Sequence, residues 1–258
     1  MRGASGRILF GMLAALALLE GRARGRAAGE PIRLVWQEGD VGGTTTILGP
    51  GERVVGVVEF RQVRRGARLW SRRVARFADG SSDEDEVEAL VGDERLEAIG
   101  GRSVIRDRDG EPLVDLAIDV RAGRISGTVG RDGDREPVDT AVTLPPATYW
   151  GPLVFLAVKN FAANAEDGRL VFRTVAPTPT PRVFDLALTD EGAASISRAG
   201  LTLEVRRYVL APSVHPVLDP VIRRLVPEAA FFVLPGEPPA LAGFAGPRNY
   251  TRRPIRIQ

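Results

Sequence analysis

The 258-residue sequence predicts a mainly β fold, a curved antiparallel sheet or barrel-like fold with one or two short helices. Three observations lead there. Apolar and polar residues alternate through most of the chain after residue 32, turn signals built on glycine separate the alternating runs, and only two stretches carry helical spacing. Many short strands punctuated this densely belong to sheets that curl into barrels or sandwiches.

The clearest pair of strands lies mid-chain. Val114, Leu116, Ile118 and Val120 alternate with Asp115, Ala117, Asp119 and Arg121, and Ile125, Gly127 and Val129 alternate with Arg124, Ser126 and Thr128. A two-residue loop at Ala122-Gly123 pairs Val120 with Ile125, Ile118 with Gly127 and Leu116 with Val129, which puts all the apolar residues on one face. Further strands are expected over 53–64, 67–77, 87–96, 102–106, 138–144, 169–175, 183–189, 201–210, 230–234 and 252–257. Turns fall at Arg65-Gly66, Asp79-Gly80, Asp109-Gly110, Asp132-Gly133 and 236–239.

Residues 151–164 carry Pro152 near their start, with Trp150, Leu153, Val154, Ala157 and Phe161 at helical spacing, so a helix capping or plugging the sheet is expected. A second, shorter helix is expected after Asp219, with Pro220 in its first turn and Pro227 ending it. The segment 174–181, with three prolines and three threonines, reads as a stiff connector. No repeat of fixed period is present.

The N-terminus reads as an export signal over 1–29, leaving a single β domain over 30–258. Ile8 to Leu19 is an uninterrupted run of apolar residues and glycine preceded by Arg2 and Arg7, too short to span a bilayer comfortably. Small residues place cleavage after Ala23, Gly25 or Gly29. Arg22, Arg24 and Arg26 oppose this reading, because positive charge after the apolar run resists translocation, and a short uncleaved anchor is the alternative. A periplasmic or secreted location follows from the export reading.

The leader carries five arginines and one glutamate, so the remainder holds 35 − 5 = 30 basic and 33 − 1 = 32 acidic residues, a net charge of −2. That balance gives no electrostatic reason to expect nucleic acid. Lys159 is the sole lysine, and the arginine excess matches a GC-rich genome. The absence of cysteine excludes disulfides, thiolate catalysis, sulfur-bound zinc and lipid attachment through cysteine.

Few residues invite chemistry. His215, the only histidine, stands in a Val-His-Pro loop without a serine elbow, and reads as structural. No catalytic residue, metal ligand set or cofactor is expected. The acidic run Asp83, Glu84, Asp85, Glu86 and Glu88 lacks the spacing of a calcium loop, as do Asp107, Asp109 and Glu111, and the run is expected to be a solvated hairpin end. If it is a strand, Asp83 and Asp85 face one way and the three glutamates the other. The aromatic residues Tyr149, Trp150, Phe155, Phe161, Phe231, Phe232 and Phe244 either line an apolar cavity or form core. Of these, Trp150, Phe155, Phe161 and Phe232 are the candidate ligand-binding residues. Asn249-Tyr250-Thr251 fits a glycosylation acceptor by chance.

Arg76-Phe77-Ala78-Asp79-Gly80-Ser81, Leu144-Pro145-Pro146, Tyr208-Val209-Leu210 and the stretch from Gly246-Pro247 through Tyr250 to Pro254-Ile255-Arg256-Ile257 resemble a group of uncharacterised exported bacterial proteins, a domain of unknown function. The resemblance implies a barrel-like β fold, distantly similar to periplasmic lipoprotein carriers and lipocalin-like barrels, and carries no catalytic residues with it. Three functions stay open. The first is a non-catalytic binder of a lipid or other apolar or amphipathic ligand; the second an envelope protein-interaction module with a packed barrel; the third a carboxylate-dependent hydrolase.

Overall fold

The computed structural model describes residues 30–36, 39–131, 133–178, 181–198, 200–213, 229–248 and 253–257. The expected leader, His215, the short helix expected after Asp219 and Asn249-Tyr250-Thr251 lie outside the described residues. What is described is mainly β, as the alternation predicts.

Fifteen strands follow in order: β1 (Ile32–Arg33), β2 (Val41–Leu48), β3 (Val54–Arg65), β4 (Arg68–Phe77), β5 (Ser82–Gly92), β6 (Arg95–Arg106), β7 (Pro112–Asp119), β8 (Arg124–Val129), β9 (Glu136–Ala141), β10 (Arg169–Ala176), β11 (Arg182–Arg198), β12 (Leu201–Pro212), β13 (Ala229–Leu234), β14 (Ala240–Arg248) and β15 (Arg253–Ile257). Among the described residues one α-helix, α1 (Pro152–Lys159), stands between β9 and β10.

Strands β2 to β9 pair each with the next, all antiparallel, with β1 added to β6; β10 to β15 form a second antiparallel run. The two runs meet where Arg256 and Ile257 of β15 face Leu48 and Ile47 of β2, a pairing of only two residues. At the other end of the path β9 and β10 do not pair among the described residues, so the sheet curls without closing.

Cross-strand rows decide which face is core. One row runs Val58, Ala75, Asp83, Ile105, Val114, Val129 and the next Phe60, Arg73, Asp85, Ser103, Leu116, Gly127. Every member of the first row is buried, and α1 lies against this concave side, contacting β4, β5 and β14. Glycine is needed where rows crowd. A Cβ at Gly101 would lie 2.1 Å from the Glu86 carbonyl oxygen, and one at Gly127, whose φ is +144°, 2.0 Å from that of Asp115.

The opposite face of β3 to β9 carries diagonal ion pairs: Arg72–Glu84 at 2.6 Å, Arg76–Glu59 at 2.7 Å, Arg102–Asp115 at 2.6 Å and Arg124–Asp139 at 2.5 Å. Each contributes little alone in water. Together they make this face a charged one, costly to place against acyl chains. No helix among the described residues is long and apolar enough to cross a membrane.

Several expectations need correction. The hairpin after β7 is not a two-residue loop: Ile118 pairs with Ile125, Leu116 with Gly127 and Val114 with Val129. Residues 120–123 form the turn, in which Asp119 Oδ1 accepts the Ala122 N–H at 2.8 Å and Gly123 adopts φ +61°. The slip is two residues, so alternation keeps the apolar face and gives no warning. The strand expected over 87–96 is broken by a turn at Asp93 and Glu94, both at positive φ, a conformation that Asp tolerates but Glu seldom adopts. The acidic run is not a solvated hairpin end but the start of β5, with Asp83 and Asp85 buried. Strand β11 runs on to Arg198 through a bulge between Asp190 and Gly192.

The carboxyls of Asp115 and Asp139 are held below the usual aspartate range by hydrogen bonds from Arg102 and Arg124. Burial raises that of Asp190, but hydrogen bonds from Arg206 and the Gly192 N–H outweigh it. With folded values below the unfolded value of about 3.9, the stabilisation is complete above that pH and is lost as pH falls through the lowered folded values. Urea denaturation at a series of pH values is expected to give a midpoint that is flat from neutral to about pH 5 and then declines. Asp115→Asn is expected to make that acid decline shallower.

Candidate functional site

The helix holds its place through contacts at both ends. Gly151, at φ +51° and ψ −128°, turns the chain into α1, and Pro152 occupies its first turn, where a missing N–H costs nothing. A Cβ at Gly151 would lie 2.7 Å from the Asp85 Cβ, so the backbone rests directly on that side chain. Asp85 Oδ2 accepts Arg73 at 2.6 Å while its Oδ1 accepts the Ser103 hydroxyl at 2.6 Å. Arg73, Asp85 and Ser103 sit side by side in one cross-strand row, which is why three neighbouring strands deliver them to one point.

At the far end, Asn160 and Asn164, four residues apart, clasp the segment around β1. Asn164 Oδ1 accepts the Arg33 N–H at 2.6 Å and its Nδ2 donates to the Arg33 carbonyl at 2.8 Å. Asn160 Oδ1 accepts the N–H groups of Val35 and Trp36 at 2.7 and 2.8 Å. The Tyr149 hydroxyl accepts the Ile32 N–H at 3.0 Å and donates to the Leu96 carbonyl at 2.7 Å. Asn160 Nδ2 also donates to the Leu156 carbonyl at 3.0 Å, and there α1 ends, one turn short of the expected 164, before a 3-10 turn over Phe161–Ala163.

Between these clasps α1 is apolar nearly all round. Leu153, Val154, Leu156, Ala157 and Val158 are buried. The half-buried exceptions, Gly151, Phe155 and Lys159, are spaced four apart and form one stripe. Phe155 meets Phe60 of β3 edge-on at 6.3 Å between ring centres and Phe231 of β13 at 5.9 Å; Phe231 meets Phe244 of β14 at 5.0 Å. The four rings bridge the two runs of strands, with Phe60 and Phe244 half-buried. Burial lowers the Lys159 ammonium below its ordinary value.

The four candidate ligand-binding residues part company here. Trp150 and Phe161 are 2% and 4% exposed, packed under and beyond the helix, Phe161 against Tyr208 at 4.8 Å. Phe155 alone lies on the half-open stripe. Phe232 takes the face of β13 opposite to Phe231, so the structure does not bring it to the others. The row Arg73, Asp85 and Ser103 and the asparagine clasps escaped the sequence reading. Inward alternation of Asp83 and Asp85 with Val87 and Ala89 was the one available signal for the former; the asparagine partners lie more than 100 residues away.

No family model matches the chain, and no curated protein does. Among solved structures it is similar to a beta-barrel-like protein of a domain of unknown function, DUF1849, from Brucella abortus. The TM-score is 0.48 and the identity 10%, with 88% of this chain and 96% of that one covered.

Two buried polar atoms, Ser71 Oγ and Trp150 Nε1, have no hydrogen-bond partner among the described residues. Opposite effects on stability are therefore expected from two substitutions followed by chemical denaturation. Asp85→Ala removes the carboxylate to which Arg73 and Ser103 both donate, leaving the Arg73 guanidinium, 19% exposed, only the charge of Asp83, and is expected to cost about 1–3 kcal/mol. Ser71→Ala removes a hydroxyl that pays desolvation without return, and is expected to be neutral or to stabilise by up to about 1 kcal/mol.

Proposed function

We propose that this chain is an exported, non-catalytic binding protein that holds an apolar or amphipathic ligand along the open side of its half-barrel. The observation that carries the reading is the one stripe of α1 left half-buried, where Phe155 stands in a row of four phenylalanine rings with Lys159 a turn away. An acyl chain or comparable apolar body matches the rings, and a polar end matches the wetter side of the stripe. Trp150 and Phe161 act as the packed floor that keeps this stripe in place. The export signal expected over residues 1–29 agrees with such a role.

A hydrolase finds little support: both oxygens of Asp85 are engaged by Arg73 and Ser103, and Gly151 covers the side chain. The packed-barrel interaction module is favoured by one observation, the filling of the concave face under α1 by fully buried side chains such as Leu153 and Ala157.

One experiment separates the two. Native mass spectrometry of the purified protein, followed by solvent extraction, is expected to reveal a near-stoichiometric lipid or other amphiphile. Phe155→Ser is expected to lose it with an unchanged circular dichroism spectrum. A ligand-free mass, together with no saturable uptake of an added long-chain fatty acid, would sink the carrier reading and leave the interaction module.

A further inference from the structure

A separate open groove of about 580 Å³ lies where β2, β3 and β4 run side by side, on the face turned away from α1. Asp40, Glu59, Arg61, Val63, Trp70 and Arg72 line it, and Gly42 adds no side chain to its floor. Alternation gathers these groups: Arg61 is paired directly with Arg72 and Val63 with Trp70, so two guanidinium groups sit beside a half-buried indole.

The charges in this patch do not balance locally. Like charges directly opposite one another on neighbouring strands are destabilising. Arg72 is answered by Glu84 at 2.6 Å. Asp40 is committed to Arg65 at 2.8 Å and Glu59 to Arg76 at 2.7 Å. Arg61 makes no ion pair or side-chain hydrogen bond among the described residues, though its charge helps to lower the Asp40 carboxyl, and its guanidinium lines the groove together with Trp70.

We propose that this groove binds an acidic saccharide. A sugar ring lays its C–H face on Trp70, its carboxylate takes the fork of Arg61, and Glu59, which pairs Arg76 through one oxygen, accepts a hydroxyl group through the other. A peptide strand is a poorer occupant, because β3 is paired on both edges here and offers no backbone ladder to extend. Gly42 keeps the floor low: a Cβ there would sit 3.2 Å from the Phe60 carbonyl oxygen and 3.9 Å from Arg61 Cγ. Phe60, whose ring meets Phe155, also borders this groove, but Arg61 and Trp70 stand on the opposite face of the sheet, so the two sites are tested separately.

The test is calorimetric titration of the full chain with a trimer of galacturonate and, in parallel, with neutral maltotriose. Saturable binding of the acidic trimer is expected, roughly tenfold or more tighter than that of the neutral one and weakened by added salt. Arg61→Ala and Trp70→Ala are each expected to weaken it by a similar factor, whereas Phe155→Ser leaves it unchanged. The proposal is overturned if the trimer does not bind saturably, if maltotriose binds equally well, or if Arg61→Ala binds as the unsubstituted chain does.

Discussion

A sheet that curls without closing leaves an apolar concave face that must be covered from within, and α1 is the element that covers it. Everything else in the interior follows from that requirement. The helix is too short and too evenly apolar to be stable alone. It exists because the strands around it need its side chains and because polar groups fix both of its ends. Arg73, Asp85 and Ser103 form the seat at its start, and Asn160 with Asn164 tie its far end to the segment around β1.

The polar groups in this core show how much specificity rests on few contacts. An apolar helix on an apolar sheet can slide or rotate at little cost, since dispersion contacts are not directional. A largely buried charge pair and asparagine side chains that both donate and accept have one good arrangement, and that arrangement sets which stripe of the helix is left half-buried. Phe155 and Lys159 are thus left half-buried by the same contacts that bury Trp150 and Phe161. The binding reading and the stability of the fold are consequences of one placement.

Much of this was legible in the sequence, for definite reasons. Strands with strict alternation, such as those around Val114 and Ile125, reveal both their existence and their inward face, and the helix is visible in the spacing of Leu153, Ala157 and Phe161. Strands β2 and β14 were missed because glycine interrupts their alternation, and β1 because two residues carry no pattern. The hairpin register slipped by two because a shift of two preserves every face. The candidate site was half legible: the aromatic residues were named together, but only pairing between distant strands decides that Phe155 and Phe231 meet while Phe232 turns away. The outer groove had no signature at all, since its arginines look like any others until Arg61 is set opposite Arg72.

The asparagine clasp also bears on the order in which the chain can fold. Its hydrogen bonds join residues separated by up to 131 positions, and that from Ile32 to Tyr149 spans 117. A ribosome makes the N-terminal end first, yet the segment around β1 has no complete set of partners until Asn164 has been synthesised. This stretch of backbone must therefore stay unsatisfied, or hydrated, while well over half of the protein is produced. Contacts of such high sequence separation are the ones that slow folding, so the docking of the segment around β1 comes late in assembly, as does the pairing of β15 with β2.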